Sequence, residues 1–75
     1  PHYTMESTVG DLLKNEKAKT RFKAYMAKMF PGQDTDEELL MMEAVMDQVP
    51  VHSICSFHPN VTLRELQEIV DEANR

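Results

Sequence analysis

The sequence predicts an all-α fold, a small bundle of four to five short helices around one core. Residues that favour helix starts recur along the 75-residue chain, each before an apolar run of helical spacing, and no alternating strand pattern separates them. A hydrophobic content of 41% beside 28% charged residues is typical of a folded globular module. Because a chain of this length supports a single core, residues 1–75 are expected to form one domain.

Two helices are predicted in the first half of the chain. Thr8, with Asp11 three residues on, is an N-cap signal for a short helix that holds Val9, Leu12 and Leu13. Asn15 is a weaker cap for a helix from about Glu16 to Met29, which ends at Phe30-Pro31-Gly32. The apolar stripe of this second helix is expected in the core and comprises Ala18, Phe22, Tyr25, Met26 and Met29.

Two helices are also predicted in the second half of the chain. Thr35 precedes a helix from Asp36 to about Gln48, with Pro50 beyond its end. Its broad apolar face is formed by Leu39, Leu40, Met42, Val45, Met46 and Val49. Thr62 precedes the last helix, about Leu63 to Ala73, whose apolar side is formed by Leu63, Leu66, Ile69 or Val70, and Ala73.

The segment between these helices is predicted to form either one short helical turn or a packed connector. Val51, Ile54 and Phe57 recur at three-residue spacing, so we expect Ile54 and Phe57 to be buried.

His52, Cys55 and His58 lie in the same connector and form the sharpest local pattern of the sequence. A structural zinc site needs four ligands, so a fourth would have to come from His2, Glu43 or Asp47. We favour the simpler interpretation, in which Cys55 is a small core side chain and the two histidines lie on the surface. We therefore assign no metal and no cofactor.

A thiol nucleophile at Cys55 with a histidine base is also available on paper. Such catalysis requires an orienting third group, an oxyanion site and a cleft, which short helices of this length seldom build. We expect no enzymatic activity from this domain and assign no catalytic residue.

Charge divides the chain into two parts. Residues 1–33 carry six Lys and Arg residues and three Asp and Glu residues. Residues 34–75 carry two Lys and Arg residues and ten Asp and Glu residues, so the net charge of the chain is −5. We expect the two halves to attract each other or to face partners of opposite charge. The acidic balance argues against a nucleic-acid partner, and the short apolar runs argue against a membrane. The single cysteine, Cys55, favours a reducing compartment such as the cytoplasm.

Four residues are candidates for contact with a partner. Six methionines are many for this length, and although core filling explains most of them, Met-rich faces also act as adaptable binding surfaces. Met41 lies off the main stripe of its helix and is expected to be exposed. The interaction candidates are Met41, Met42, Lys17 and Arg21, although a solvated face also explains the two cations.

Two stretches of the chain resemble a known helical module. The first is Ser7-Thr8-Val9-Gly10-Asp11-Leu12-Leu13, followed by Lys17-Ala18-Lys19 and by Phe30-Pro31-Gly32. The second runs from Val49 to Phe57 and then from Leu63 to Asn74. Together they resemble a small module at the C-terminus of some bacterial family 3 glycoside hydrolases, which are β-glucosidase-like enzymes. The sequence departs from that pattern at His52, where the module favours Arg, and at His58-Pro59-Asn60, which replaces a Ser/Gly-rich turn.

The resemblance implies a non-catalytic accessory domain of a larger carbohydrate-active enzyme, whose catalytic carboxylates lie in other domains. The opening Pro1-His2-Tyr3, without an initiator Met, agrees with a fragment of a longer protein. The expected partners are other domains of that protein or a separate protein. The alternatives are a free-standing helical module that offers a groove to a partner helix, and a metal- or thiol-based sensor centred on Cys55.

Overall fold

The computed structural model describes residues 2–33 and 35–75. Five α-helices follow one another: α1 (Val9–Leu13), α2 (Glu16–Met29), α3 (Asp36–Met46), α4 (Ile54–Phe57) and α5 (Leu63–Ala73), with a 3-10 turn at Val51–Ser53 before α4. The described residues contain no strand, only an isolated antiparallel bridge between Thr8 and Pro50. The all-α prediction is confirmed, and α2 and α5 have the predicted bounds, while α3 ends at Met46, earlier than expected.

Local hydrogen bonds explain where the helices begin. Each predicted cap accepts a hydrogen bond from the backbone amide three residues on: Thr8 from Asp11, Asn15 from Ala18, Thr35 from Glu38, and Thr62 from Glu65. At α5 the carboxylate of Glu65 also accepts from the Thr62 amide at 3.1 Å, so this start is a full capping box. After α2 the chain turns through Gly32, whose φ of +88° lies in the left-handed region that favours glycine.

One core joins the helices. α5 packs along α2, and α1 lies between α2 and α3. The buried apolar side chains are Val9, Leu12, Leu13, Ala18, Phe22, Met26, Leu39, Val51, Ile54, Val61, Leu66, Ile69, Val70 and Ala73. α3 contributes only Leu39 to this set, so it is held at the edge of the core.

Non-local backbone bonds fasten the N-terminal segment to the far end of α3. The Gly10 amide donates to the Asp47 carbonyl at 3.1 Å, and the Val51 amide donates to the Ser7 carbonyl at 2.8 Å. These bonds run between segments about 40 residues apart in the chain and fix the position of α3 relative to α1.

Four side chains that the sequence placed in the core are exposed: Leu40 (65%), Val45 (81%), Phe57 (59%) and Leu63 (59%). These predictions were wrong. α3 packs on the rest of the domain by one side only. α4 is a single turn in which Ile54 is buried and Cys55 is half-buried against the core, while Phe57 points to solvent. Leu63 begins α5 one turn before the buried stripe. Met29, expected on the stripe of α2, has a side chain outside the described part.

Candidate functional site

The side of α3 that faces away from the core is apolar. Leu40, Met41, Ala44 and Val45 form this surface, here called the outer face, and all four are exposed. Met41 is 64% exposed, which confirms that it lies off the buried stripe. Because residues three and four apart share one side of a helix, the four side chains form one continuous strip.

Apolar side chains thus lie on both sides of α3. On the inner side Leu39 is buried, and Met42 and Met46 pack against the core as half-buried side chains. α5, by contrast, keeps its buried residues on one side and polar residues on the other. Acidic side chains separate these two apolar sides of α3. The outer face is therefore a second apolar surface on the same helix, and the residues that the structure describes leave it exposed.

Acidic side chains of α3 border the outer face. Glu37, which is exposed, lies one turn before Leu40 and Met41, and α3 carries no Lys or Arg. Two lysines of α2 lie close by: Lys19 lines one pocket with Leu40 and Glu43, and Lys23 pairs with Asp36 at 3.0 Å. The hydrogen bond from Lys23, together with its charge, lowers the pKa of Asp36. The exposed carboxylate of Glu37 can meet a cationic partner.

A second feature is an apolar pocket of about 170 Å³ beneath the inner side of α3. Its walls include Phe22, Met26, Met42, Met46, Ile54 and Leu66. The exposed Gln33 and His58 also line it and mark where it opens to solvent. Beside this mouth the rings of Phe30 and His58 meet edge to face, with centroids 5.4 Å apart.

Tyr25 lines the same pocket and has an unusual hydroxyl group. The hydroxyl oxygen is buried, and it has no hydrogen-bond partner among the described residues. Burial raises the pKa of Tyr25, and the nearby Glu65 and Cys55 raise it further. A buried tyrosine hydroxyl usually finds a partner, and this one is left unsatisfied by the residues that the structure describes.

The structure separates the candidate metal ligands. Cys55 is half-buried and packs against the core, while His58 is exposed at the mouth of the apolar pocket. His52 lies 3.4 Å from the carboxylate of Glu6. No three His, Cys, Asp or Glu side chains in residues 2–33 and 35–75 are grouped so that they could hold a metal ion.

The four interaction candidates do not form one surface. Lys17 and Arg21 lie on α2 beside α5, where the guanidinium of Arg21 pairs with Glu68 at 2.9 Å. Met42 is half-buried in the wall of the apolar pocket, so Met41 alone belongs to the outer face. Sequence reasoning missed Leu40 and Val45 as surface residues. Their signal was an apolar set too broad for one buried side of a single helix.

No described helix, the longest included, combines the length and apolar character needed to cross a membrane. Comparisons of the chain with protein-family models, curated proteins and solved structures found no match.

Proposed function

We propose that this chain is a non-catalytic docking domain that binds a protein surface through the outer face of α3. The observation that carries the proposal is the exposure of three large apolar side chains on one side of a single helix: Leu40, Met41 and Val45, at 65%, 64% and 81%. Contiguous exposed apolar surface rimmed by polar residues is characteristic of protein interaction sites. The four α3 positions supply such a surface at the edge of the domain.

The attachment of α3 suits this role. One side of the helix is anchored by Leu39 in the core, and its C-terminal end is held by the hydrogen bond from Gly10 to the Asp47 carbonyl. The outer face takes no part in either contact. It is therefore presented on a helix whose position is fixed before binding, which limits the entropy lost on association.

The charges around the outer face define the chemistry of the partner. Glu37 and Glu38 stand at the N-terminal end of α3, and Glu43 and Asp47 follow on its flank, without a cation on the helix. A complementary partner surface has an apolar strip bordered by Lys or Arg. These cations are attracted to the acids of α3 and orient the encounter, whereas acidic side chains at the same places would be repelled. A second copy of this chain would bring the same acids together, so we assign a basic partner.

The partner surface belongs, in this proposal, to another domain of a larger polypeptide. This assignment rests on the resemblance of residues 7–13, 17–19, 30–32, 49–57 and 63–74 to the helical module of family 3 glycoside hydrolases. On that basis the chain is an accessory domain of a carbohydrate-active enzyme, and the reaction is carried out elsewhere in that enzyme. In this proposal the domain packs on other domains of the enzyme or mediates their association.

Calorimetric titration with two designed helices tests the docking face. Both helices carry the same leucine stripe, one flanked by Lys and the other by Glu. We expect binding of the Lys-flanked helix only, weakened by added salt because exposed charges are screened. Val45→Glu, at the most exposed position of the strip, should reduce the affinity by about tenfold or more, which is about 1.4 kcal/mol.

Ala27→Glu is the control for the added charge, because Ala27 is exposed and belongs to α2 rather than to the outer face. It adds the same charge and should leave the affinity unchanged. Equal binding of both helices, or equal losses in the two variants, would contradict the proposal. Concentration-dependent dimerisation of the chain that Val45→Glu abolishes would assign the face to a second copy instead.

Amide exchange distinguishes a neighbouring domain from a separate partner. The exchange of α3 amides is compared between residues 1–75 alone and the same residues within the longer polypeptide. Slower exchange in the longer polypeptide supports an accessory domain packed within its parent. Equal exchange would contradict that assignment and favour a separate protein as the partner.

A further inference from the structure

The apolar pocket beneath α3 borders the outer face along one edge of the helix. Met42 lies half-buried in the pocket wall, and Val45 of the outer face follows it by three residues. Residues three apart are neighbours on a helix surface, so the two apolar surfaces meet at this pair. Glu43 lines a different pocket on the other edge of α3, with Leu39 and Leu40, and so does not separate Met42 from Val45.

We propose that a partner docked on the outer face inserts one phenylalanine side chain into this pocket. The anchor rests on the proposed function of the outer face and deepens it, because it names a residue of the partner. In protein interfaces a few large side chains that fill pockets carry most of the binding free energy. The pocket offers such a position beside the exposed strip of Leu40, Met41, Ala44 and Val45.

The size and openness of the pocket suit one phenyl ring that enters from solvent. The pocket has about 170 Å³, and an apolar space of about 150 Å³ in an engineered protein accommodates benzene. It is open rather than enclosed, because the exposed Gln33 and His58 line its mouth. A ring carried by a partner helix therefore reaches the walls while the domain keeps its fold.

The walls favour an aromatic side chain without a hydroxyl group. Three methionines line the pocket: Met26, Met42 and Met46. Thioether sulfur makes favourable contacts with aromatic rings, and the flexible methionine side chains adapt to a ring that enters. The buried wall residues Phe22, Ile54 and Leu66 offer no side-chain hydrogen bond, so the hydroxyl of an inserted tyrosine would lose water without gaining a partner. Phenylalanine therefore fits better than tyrosine or leucine.

The charge of α3 places a cation near this phenylalanine in the partner. Glu38 belongs to the first turn of α3 and precedes Met41 by three residues and Met42 by four. Residues at these spacings are neighbours on the helix surface, so Glu38 lies where the outer face and the pocket meet. A Lys or Arg about one turn from the phenylalanine in a partner helix brings opposite charges together. The anchor is therefore an aromatic residue within a basic segment.

Variants of the Lys-flanked helix test the anchor. Each leucine of its stripe is replaced in turn by phenylalanine, and binding is followed by calorimetry and by methyl NMR of the methionines. At one position we expect phenylalanine to raise the affinity roughly 2- to 10-fold over leucine, the range that aromatic contacts add beyond buried area. The ring current of this helix should shift the methyl signals of Met26, Met42 and Met46. Cyclohexylalanine at the same position keeps the size and loses the aromatic ring, so it should lose this gain.

Met46→Phe places a ring of the domain itself in the pocket, and Met5→Phe is its matched control. Met5 is also a partly buried methionine packed against the core, but it does not line the pocket. Met46→Phe should abolish the advantage of the phenylalanine helix over the leucine helix, whereas Met5→Phe should preserve it. Melting curves establish that both variants fold. If Met46→Phe does not fold, the ring-current shifts in the wild-type chain still decide the question.

The outcomes separate the anchor from the docking face. Shifts at Met41 without shifts at Met26 and Met46, and with no preference for phenylalanine, would overturn the anchor and leave the docking proposal in place. Shifts at Met26 and Met46 without a shift at Met41 would contradict the anchor as well, because the ring would then enter without contact to the outer face. Absence of binding by every helix would overturn both proposals.

Discussion

Gly10 of α1 lies directly against Asp47 at the end of α3. A β-carbon at Gly10 would be 2.7 Å from the Asp47 carbonyl oxygen, and the Gly10 amide donates to that same oxygen at 3.1 Å. The contact leaves no room for a methyl group without a shift of backbone. Glycine is required here by close packing, whereas at Gly32 the space is open and the requirement comes from a φ of +88°.

Gly10→Ala should therefore destabilise the domain, although alanine is the better helix former. We expect a loss of about 1–3 kcal/mol in the free energy of unfolding, the usual cost of overpacking. Urea denaturation measures it. Equal or greater stability of Gly10→Ala would show that α1 and α3 are not in close contact.

Tyr25→Phe should stabilise the domain, because it removes a buried hydroxyl that has no partner among the described residues. The expected gain in the free energy of unfolding is about 1 kcal/mol near neutral pH, measured by urea denaturation. A loss of similar size would mean that the hydroxyl makes a hydrogen bond in the folded domain.

The same residue predicts a response to alkaline pH. Burial raises the pKa of Tyr25 above its ordinary value of 10.0, so the unfolded chain loses this proton first as pH rises. The stability of the wild-type domain should fall as pH increases from about 10 towards the raised pKa. The stability of Tyr25→Phe should lack this dependence on pH. The difference between the melting temperatures of Tyr25→Phe and the wild-type domain should therefore widen as pH rises above about 10. A constant gap would contradict the burial of the hydroxyl.

The ion pair between Lys23 and Asp36 should be visible in an acid titration. The hydrogen bond from Lys23, at 3.0 Å, lowers the pKa of Asp36 below its ordinary value of 3.8. The contribution of the pair is therefore complete above pH 3.8 and is lost as pH falls through the lowered pKa. In carboxyl NMR titrations, Lys23→Ala should return the pKa of Asp36 towards 3.8, whereas Lys28→Ala should leave it unchanged. Equal effects of the two variants would contradict the pair.

The chain ends are joined by the side chain of Asn74. Its amide group donates to the Tyr3 carbonyl at 2.8 Å, and its oxygen accepts from the Tyr3 amide at 2.8 Å. Asn74→Ala should cost about 1–2 kcal/mol of unfolding free energy, as the loss of two hydrogen bonds predicts. Asn74→Asp keeps the acceptor and loses the donor, so it should cost less. Hydrogen exchange at Tyr3 that does not change in Asn74→Ala would contradict the contact.

The sequence predicted the local features of the fold well. The caps at Thr8, Asn15, Thr35 and Thr62 were identified because each hydrogen bond lies within its own turn. The side of α3 that is buried was not identified. Apolar residues lie on two sides of this helix, so periodicity does not select one of them. The choice depends on the contact with α1, which is distant in sequence.

The candidate site was predicted only in part. The exposure of Met41 followed from its position off the main stripe, and it is confirmed. The neighbours Leu40 and Val45 were assigned to the core, so the extent of the outer face was missed. The unpartnered hydroxyl of Tyr25 had no sequence signal, since its burial depends on residues of α4 and α5 that only the folded chain brings near.

We propose that the outer face of α3 docks a partner whose apolar strip is bordered by cations, and methyl NMR of the chain with and without the Lys-flanked helix tests this docking. We expect shifts at Leu40, Met41 and Val45, with the core methyls of Ile69 and Val70 unchanged. Shifts confined to residues outside α3, or no shifts at concentrations at which the helix is fully folded, would contradict the proposal.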